Sequence, residues 1–201
     1  MSSDELELIV SRDAAEVSRR AADLFLRLTS EAQAHYRSFT VALSGGSTPK
    51  GLYTLLAREP YRSQVPWSLV HVFWGDERCV PPDHAESNYK LAYDALLSQV
   101  PLPETNIHRV PTERGDCTGA AADYAQELVT FFGLEGRGLP HFDLLLLGVG
   151  DDGHTASLFP GKPALNERDA LVVASPPGRL PPQVDRVTLT LPVLNAARQV
   201  V

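Results

Sequence analysis

Six apolar runs of strand length punctuate the chain, at residues 6–10 (LELIV), 39–43 (FTVAL), 68–73 (SLVHVF), 142–147 (FDLLLL), 170–175 (ALVVAS) and 186–191 (RVTLTL). Stretches with helical periodicity lie between most of them. FDLLLL is apolar at nearly every position instead of alternating, as expected of a strand covered on both faces. Strands alternating with helices build a mostly parallel sheet between helical layers, so the expected class is α/β. One helix should start at an Asp13 cap and run to about residue 34, with Val17, Ala21, Leu24, Phe25 and Leu28 as its inner stripe. Others are expected over 49–58, 88–98 and 118–132, with proline-rich connections at 101–103 and 176–182.

At 201 residues and 43% hydrophobic, the chain suffices for one sizeable core and is short for two, so residues 1–201 are read as a single domain. The two cysteines, Cys79 and Cys117, lack paired spacing, so neither a disulfide framework nor a thiolate zinc site is expected, and a reduced cytoplasm is the default compartment. The start, MSSDELELIV, is acidic where a secretory signal is basic. No apolar stretch approaches the roughly 20 residues that cross a bilayer, so no membrane partner is expected. With 18 basic against 25 acidic residues, a formal charge of -7, and no basic patch, nucleic acid is not an expected partner. A small anionic ligand remains compatible with that balance.

Parallel sheets bind ligands at the carboxyl ends of their strands, which directs attention to three loops. After FTVAL comes Ser44-Gly45-Gly46-Ser47-Thr48-Pro49. Thr48 is placed to cap a helix with Pro49 at its first position, and the turn can serve as a phosphate cradle of N–H groups, hydroxyls and helix dipole. Leu52 stands where a Walker loop needs lysine, so a nucleoside triphosphate is disfavoured. After SLVHVF comes Asp76-Glu77-Arg78. Arg78 can clamp an anion or pair with Asp76 or Glu77, and Ser87 or Asn88 is placed to cap the next helix.

The third loop, Gly148 to Gly161, opens as G-x-G-x-x-G, yet Asp151 and Asp152 have the wrong sign for a pyrophosphate and Pro160 interrupts any helix starting here. Of the six histidines, His35, His71, His84, His108 and His141 read as structural or surface groups. His154 follows a buried strand in a glycine-rich loop, two residues from Asp152. An imidazole there can take a proton from water while a nearby carboxylate orients it. No H-E-x-x-H or cysteine pair points to a metal.

Taken together, LSGGSTPKGLY, FWGDERCVPPDHAESNYKLA, FDLLLLGVGDDGHTASLFPG and RVTLTLPVLNAAR resemble the 6-phosphogluconolactonases, from about Leu43 to Arg198. The resemblance implies a Rossmann-like three-layer α/β/α sandwich, the fold shared with glucosamine-6-phosphate deaminase and ribose-5-phosphate isomerase. It also implies hydrolysis of 6-phosphoglucono-δ-lactone to 6-phosphogluconate, the second step of the oxidative pentose phosphate pathway, with no metal or organic cofactor, by a cytoplasmic monomer or homodimer. On that reading His154 is the general base, oriented by Asp152 or by Asp151. Ser44, Gly45, Gly46, Ser47 and Thr48 hold the 6-phosphate. Arg78 and Arg186 are the cationic partners of the substrate, in either order along it.

Two other readings are weighed. The related deaminase-isomerases carry an acidic residue after the D-G-H segment and D-E-Y in place of D-E-R, and both features are absent here. A non-catalytic sugar-phosphate sensor needs the cradle but not His154. Relative to the family, the chain is expected to be short at its C-terminus, without a T-G-x-x-K-like segment whose lysine helps to bind phosphate.

Overall fold

The computed structural model describes residues 6–179 and 182–201. Residues 1–5, part of the acidic start that argued against a secretory signal, and 180–181 of the second proline-rich connection lie outside them. Asp13 caps α1 (Ala14–Ala34), its carboxylate accepting the Glu16 N–H at 2.8 Å. The helix buries Ser18, Ala22, Phe25, Thr29 and Ala32, while Val17 is 41% exposed. The inner stripe is therefore turned by about one position from the apolar reading. Ser18 and Thr29 can be buried because their hydroxyls donate to the Ala14 and Phe25 carbonyls one turn back.

The remaining elements are β1 (Phe39–Leu43), α2 (Ser47–Leu56), α3 (Tyr61–Gln64), β2 (Val70–Trp74), β3 (Asp76–Arg78), α4 (Asn88–Ala95), α5 (Cys117–Phe132), β4 (Leu144–Leu145), β5 (Val172–Ser175), β6 (Arg186–Leu189) and α6 (Leu191–Asn195). A parallel sheet runs in the order β2-β1-β4, with Leu43 beside Trp74 and Ala42 beside Leu145. Residues 199–201 extend it past β4, the Leu147 N–H donating to the Val201 carbonyl at 2.7 Å, and Ile107 bridges to Val72 at the opposite edge. Registered residues share a face and successive residues alternate. Phe39, in register with Val70, packs on Phe25 of α1 with ring centroids 5.4 Å apart. Phe73, three residues beyond Val70, packs on Phe131 of α5 at 5.0 Å. α1 and α5 therefore cover opposite faces, giving the three layers expected.

Three expectations need correction. The last two apolar runs join a separate antiparallel sheet, β3-β6-β5, because period and composition do not encode strand direction. LELIV forms no strand, and Leu6 and Leu8 are 95% and 84% exposed. The cysteines also depart from expectation: Cys79 and Cys117, 38 positions apart, are joined in a disulfide with Cα atoms 5.9 Å apart. Sequence spacing could not show a proximity that folding creates. No helix among the described residues is long and apolar enough to cross a membrane.

Between β2 and α5 lies a titratable cluster. His71 Nδ1 is 3.1 Å from His108 Nε2, and His108 Nδ1 is 2.7 Å from a Glu127 carboxylate oxygen. The Phe73 ring stacks on His108 at 4.3 Å. Burial, then the neighbouring His108, lower the His71 pKa below 6.5. The unfolded chain therefore binds this proton at a pH where the folded chain does not, so the contribution is complete above the unfolded value and is lost as pH falls below it. Melting temperature measured from about pH 8 down to about pH 5 should fall, and His71→Phe should flatten that slope.

Candidate functional site

Parallel strands deliver their carboxyl ends to one edge, and the three loops leave from it. The cradle follows β1, the D-E-R segment follows β2 after Gly75, whose N–H donates to the Leu43 carbonyl at 2.9 Å, and the His154 loop follows β4, the neighbour of β1.

Ser44 is buried, with its N–H donating to the Tyr53 hydroxyl at 3.1 Å and its carbonyl accepting from the same hydroxyl at 2.7 Å. Its own hydroxyl is buried without a partner, so it lies behind the turn. Gly46, Ser47 and Thr48 are exposed. The helix starts at Ser47 with Gly46 as its N-cap at φ 110°, a conformation suited to glycine, so Thr48 lies inside the first turn instead of capping it. Side chains of Asp13, Ser87 and Asp116 cap α1, α4 and α5, whereas no side chain caps α2. Its exposed N-terminus keeps the positive end of the helix dipole available to an anion.

Asp76, Glu77 and Arg78 do not pair with one another. Glu77 is 2% exposed and accepts the N–H groups of Arg78, Asn88 and Tyr89, each at 2.7 Å, so its carboxylate closes the N-terminus of α4. Burial pushes its pKa up, and those donors oppose the shift. Asp76 accepts from the Ser157 hydroxyl at 2.6 Å and from Asn88 Nδ2 at 3.3 Å. With both carboxylates engaged, Arg78 donates to the Glu86 carbonyl at 2.8 Å and lies 4.0 Å from the Glu86 carboxylate, correcting the expected alternative of pairing inside the triplet. Arg78 stands opposite Arg186 across the antiparallel pair. Arg186 is 5% exposed, donates to the Val184 and Pro182 carbonyls, and makes no ion pair among the described residues. Burial, followed by the charge of Arg78, lowers its pKa.

Asn88, considered in the sequence only as a cap, connects the first two loops. It is 1% exposed, and Nδ2 donates to the Asp76 carbonyl at 2.9 Å while Oδ1 has no partner. A Cβ on Gly45 would fall 1.9 Å from that Oδ1, so the amide fills the space a side chain would need. The buried polar atoms without partners among the described residues are Ser44 Oγ, Trp74 Nε1, Arg78 Nε and Asn88 Oδ1, all on or beside these loops. Unmet buried polar groups are costly in an ordinary core, so their concentration at one edge makes it a candidate functional region.

In the third loop His154 Nδ1 lies 2.5 Å from Asp152 Oδ1, with side chains 21% and 19% exposed, and Asp151 is exposed without this contact. The hydrogen bond to His154 is the main cause that lowers the Asp152 pKa. A Cβ on Gly150 would lie 2.2 Å from His154 Cε1, so that glycine admits the imidazole. Phe159, which no local pattern singled out, packs on His154 with ring centroids 4.7 Å apart. Ser157, likewise unassigned from sequence, is fully buried and ties the loop to Asp76. Among the described residues, no group of three or more His, Cys, Asp and Glu is arranged to hold a metal.

A carboxylate-bound imidazole in the loop after β4 and two facing arginines on the antiparallel sheet that continues from β2 are groups that can move a proton and hold a small anion. A family model described as glucosamine-6-phosphate isomerases/6-phosphogluconolactonase matches residues 12–201, and the chain belongs to this family. It is 51% identical to the 6-phosphogluconolactonase of Synechocystis over 162 residues, covering 81% of this chain and 64% of that protein. It is 46% identical to a probable chloroplastic 6-phosphogluconolactonase 3 of Oryza sativa, covering 87% of this chain and 54% of that one. The chain thus spans less than two thirds of the length of these relatives. The structure of 6-phosphogluconolactonase from Trypanosoma brucei superposes with a TM-score of 0.89 at 31% identity, covering 98% of this chain and 81% of that one. The shared α/β fold agrees with the expectation from sequence.

The fit of Gly45 against Asn88 is directly testable. Gly45→Ala should destabilise the protein by about 1–3 kcal/mol in denaturant unfolding, because the amide it meets is held by Asp76.

Proposed function

We propose that this chain hydrolyses 6-phospho-D-glucono-1,5-lactone to 6-phospho-D-gluconate. The observation that carries the reading is the partly exposed Asp152–His154 pair at the same strand edge as two facing arginines and an uncapped helix N-terminus. The Gly45-Gly46-Ser47-Thr48 turn receives the phosphate, with Ser44 supporting it from behind. Arg78, whose side chain is 21% exposed, meets the substrate directly, and Arg186 adds positive charge from beneath. Binding energy from the phosphate then positions the lactone carbonyl at His154.

His154 accepts a proton from water as the water oxygen attacks C1. The C1–ring oxygen bond breaks, and the ring oxygen leaves with a proton to become the hydroxyl at C5. Asp152, held ionised by its hydrogen bond to His154, stabilises the imidazolium that forms between these steps. An ester carbonyl in a lactone is already activated, so this reading includes neither a serine nucleophile nor a metal. The substrate and the reaction come to this chain from its family and from the site's chemistry together. The phosphorylated substrate does not cross membranes unaided, which suits a cytoplasmic enzyme.

The test follows loss of freshly prepared lactone above its spontaneous hydrolysis. His154→Ala should reduce the enzymatic rate by about 10²–10⁴-fold. Equal rates in the two proteins would remove His154 as the base. A chelator should leave the rate unchanged, and glucosamine 6-phosphate should release no ammonia. Ammonia release would favour the deaminase branch of the family instead.

A further inference from the structure

Phe159 has no part in the chemistry described so far, yet its surroundings are unlike those of a core aromatic. It is 3% exposed but stands outside the main hydrophobic cluster, which takes in its neighbour Leu158. Its ring centroid lies 4.7 Å from that of His154 at a tilt of 43°, and the Arg186 guanidinium carbon lies 5.7 Å from the same ring. The ring is also gripped from the 176–179 turn, where a Cβ on Gly178 would fall 2.3 Å from Phe159 Cε1. Arg186 and the imidazole that takes up a proton in the proposed reaction thus share one buried ring.

We propose that Phe159 is a positioning residue whose ring holds the His154 imidazole and the Arg186 guanidinium at a fixed separation, coupling the base to the cationic side of the substrate site. The proposal rests on the lactonase reading of that site. The ring face is electron-rich and attracts cations, so it steadies Arg186, which makes no contact ion pair with a carboxylate among the described residues. It also favours the protonated imidazole, and the remaining charged groups around these two are Asp152 on His154, with Arg78, Asp76, Glu86 and Glu77 around Arg186. An aliphatic residue of similar bulk would fill the space but offer neither cation a partner.

The experiment compares wild type with Phe159→Leu and with Phe159→pentafluorophenylalanine, which keeps the ring outline and reverses the charge distribution of its face. Three quantities are read: the KM and kcat for the lactone, the affinity for inorganic phosphate, and the titration of His154 followed by NMR without substrate. Both variants should raise KM and weaken phosphate binding by roughly 2- to 30-fold. Both should move the His154 titration, and with it the acidic limb of kcat/KM, to lower pH by about half a unit. A pentafluorophenylalanine protein that matches wild type in all three would overturn the proposal, as would a Phe159→Leu protein that only melts earlier. The phosphate and NMR readings need no turnover. If wild type failed to hydrolyse the lactone, the function would fall while these two measurements still judged Phe159.

Discussion

A buried carboxylate, that of Asp76, holds the working edge of this protein together. One oxygen accepts the Ser157 hydroxyl from the His154 loop, and the other accepts Asn88 Nδ2, whose amide lies against Gly45 of the cradle. Three loops from three strand ends are thereby hung on one side chain that is 7% exposed. Burying a charge is tolerated only when its oxygens are satisfied, so each loop must be in place for the others to be. The position of His154 relative to the cradle is in this sense a consequence of Asp76.

The same edge shows how a chain of net charge -7 can present a site for an anion. Arg78 and Arg186 face each other across β3 and β6, where like charges are destabilising by a few tenths to about 1 kcal/mol. Glu77, the nearest carboxylate in sequence, is turned inward to cap α4, and Asp76 is spent on Ser157 and Asn88. With those carboxylates engaged by neutral donors, neither makes a contact ion pair with Arg78 or Arg186 among the described residues. The buried side-chain atoms of Ser44, Arg78 and Asn88 that have no partner among the described residues lie at the same edge.

Much of this was legible because it is local. An aspartate ahead of an amphipathic run specified the start of α1, small residues after a buried strand marked the turn into α2, and the sequence narrowed the partner of His154 to Asp151 or Asp152, of which the structure brings Asp152 into contact. What could not be read depends on partners distant in sequence. Asp76 meets Ser157 across 81 positions, Cys79 meets Cys117 across 38, and Arg186 faces Arg78 only because β6 runs antiparallel to β3. LELIV forms no strand because an apolar pattern alone does not supply the long-range partner a strand requires.

The G-x-G-x-x-G at Gly148 to Gly153 illustrates what decides the meaning of a motif. In a dinucleotide site the second glycine lets the backbone approach a pyrophosphate at a helix N-terminus. Here no helix follows, and the space a side chain would take at Gly150 is occupied by the His154 imidazole. Gly153, at φ 82°, closes the turn by donating its N–H to the Gly150 carbonyl at 2.8 Å, which carries the chain back so that His154 can reach Asp152. The glycines serve close approach in both cases, but what approaches is a side chain of the protein itself. A site whose ligand sits elsewhere can therefore carry the fingerprint of one that binds at the glycines, and only the group packed over the missing Cβ tells them apart.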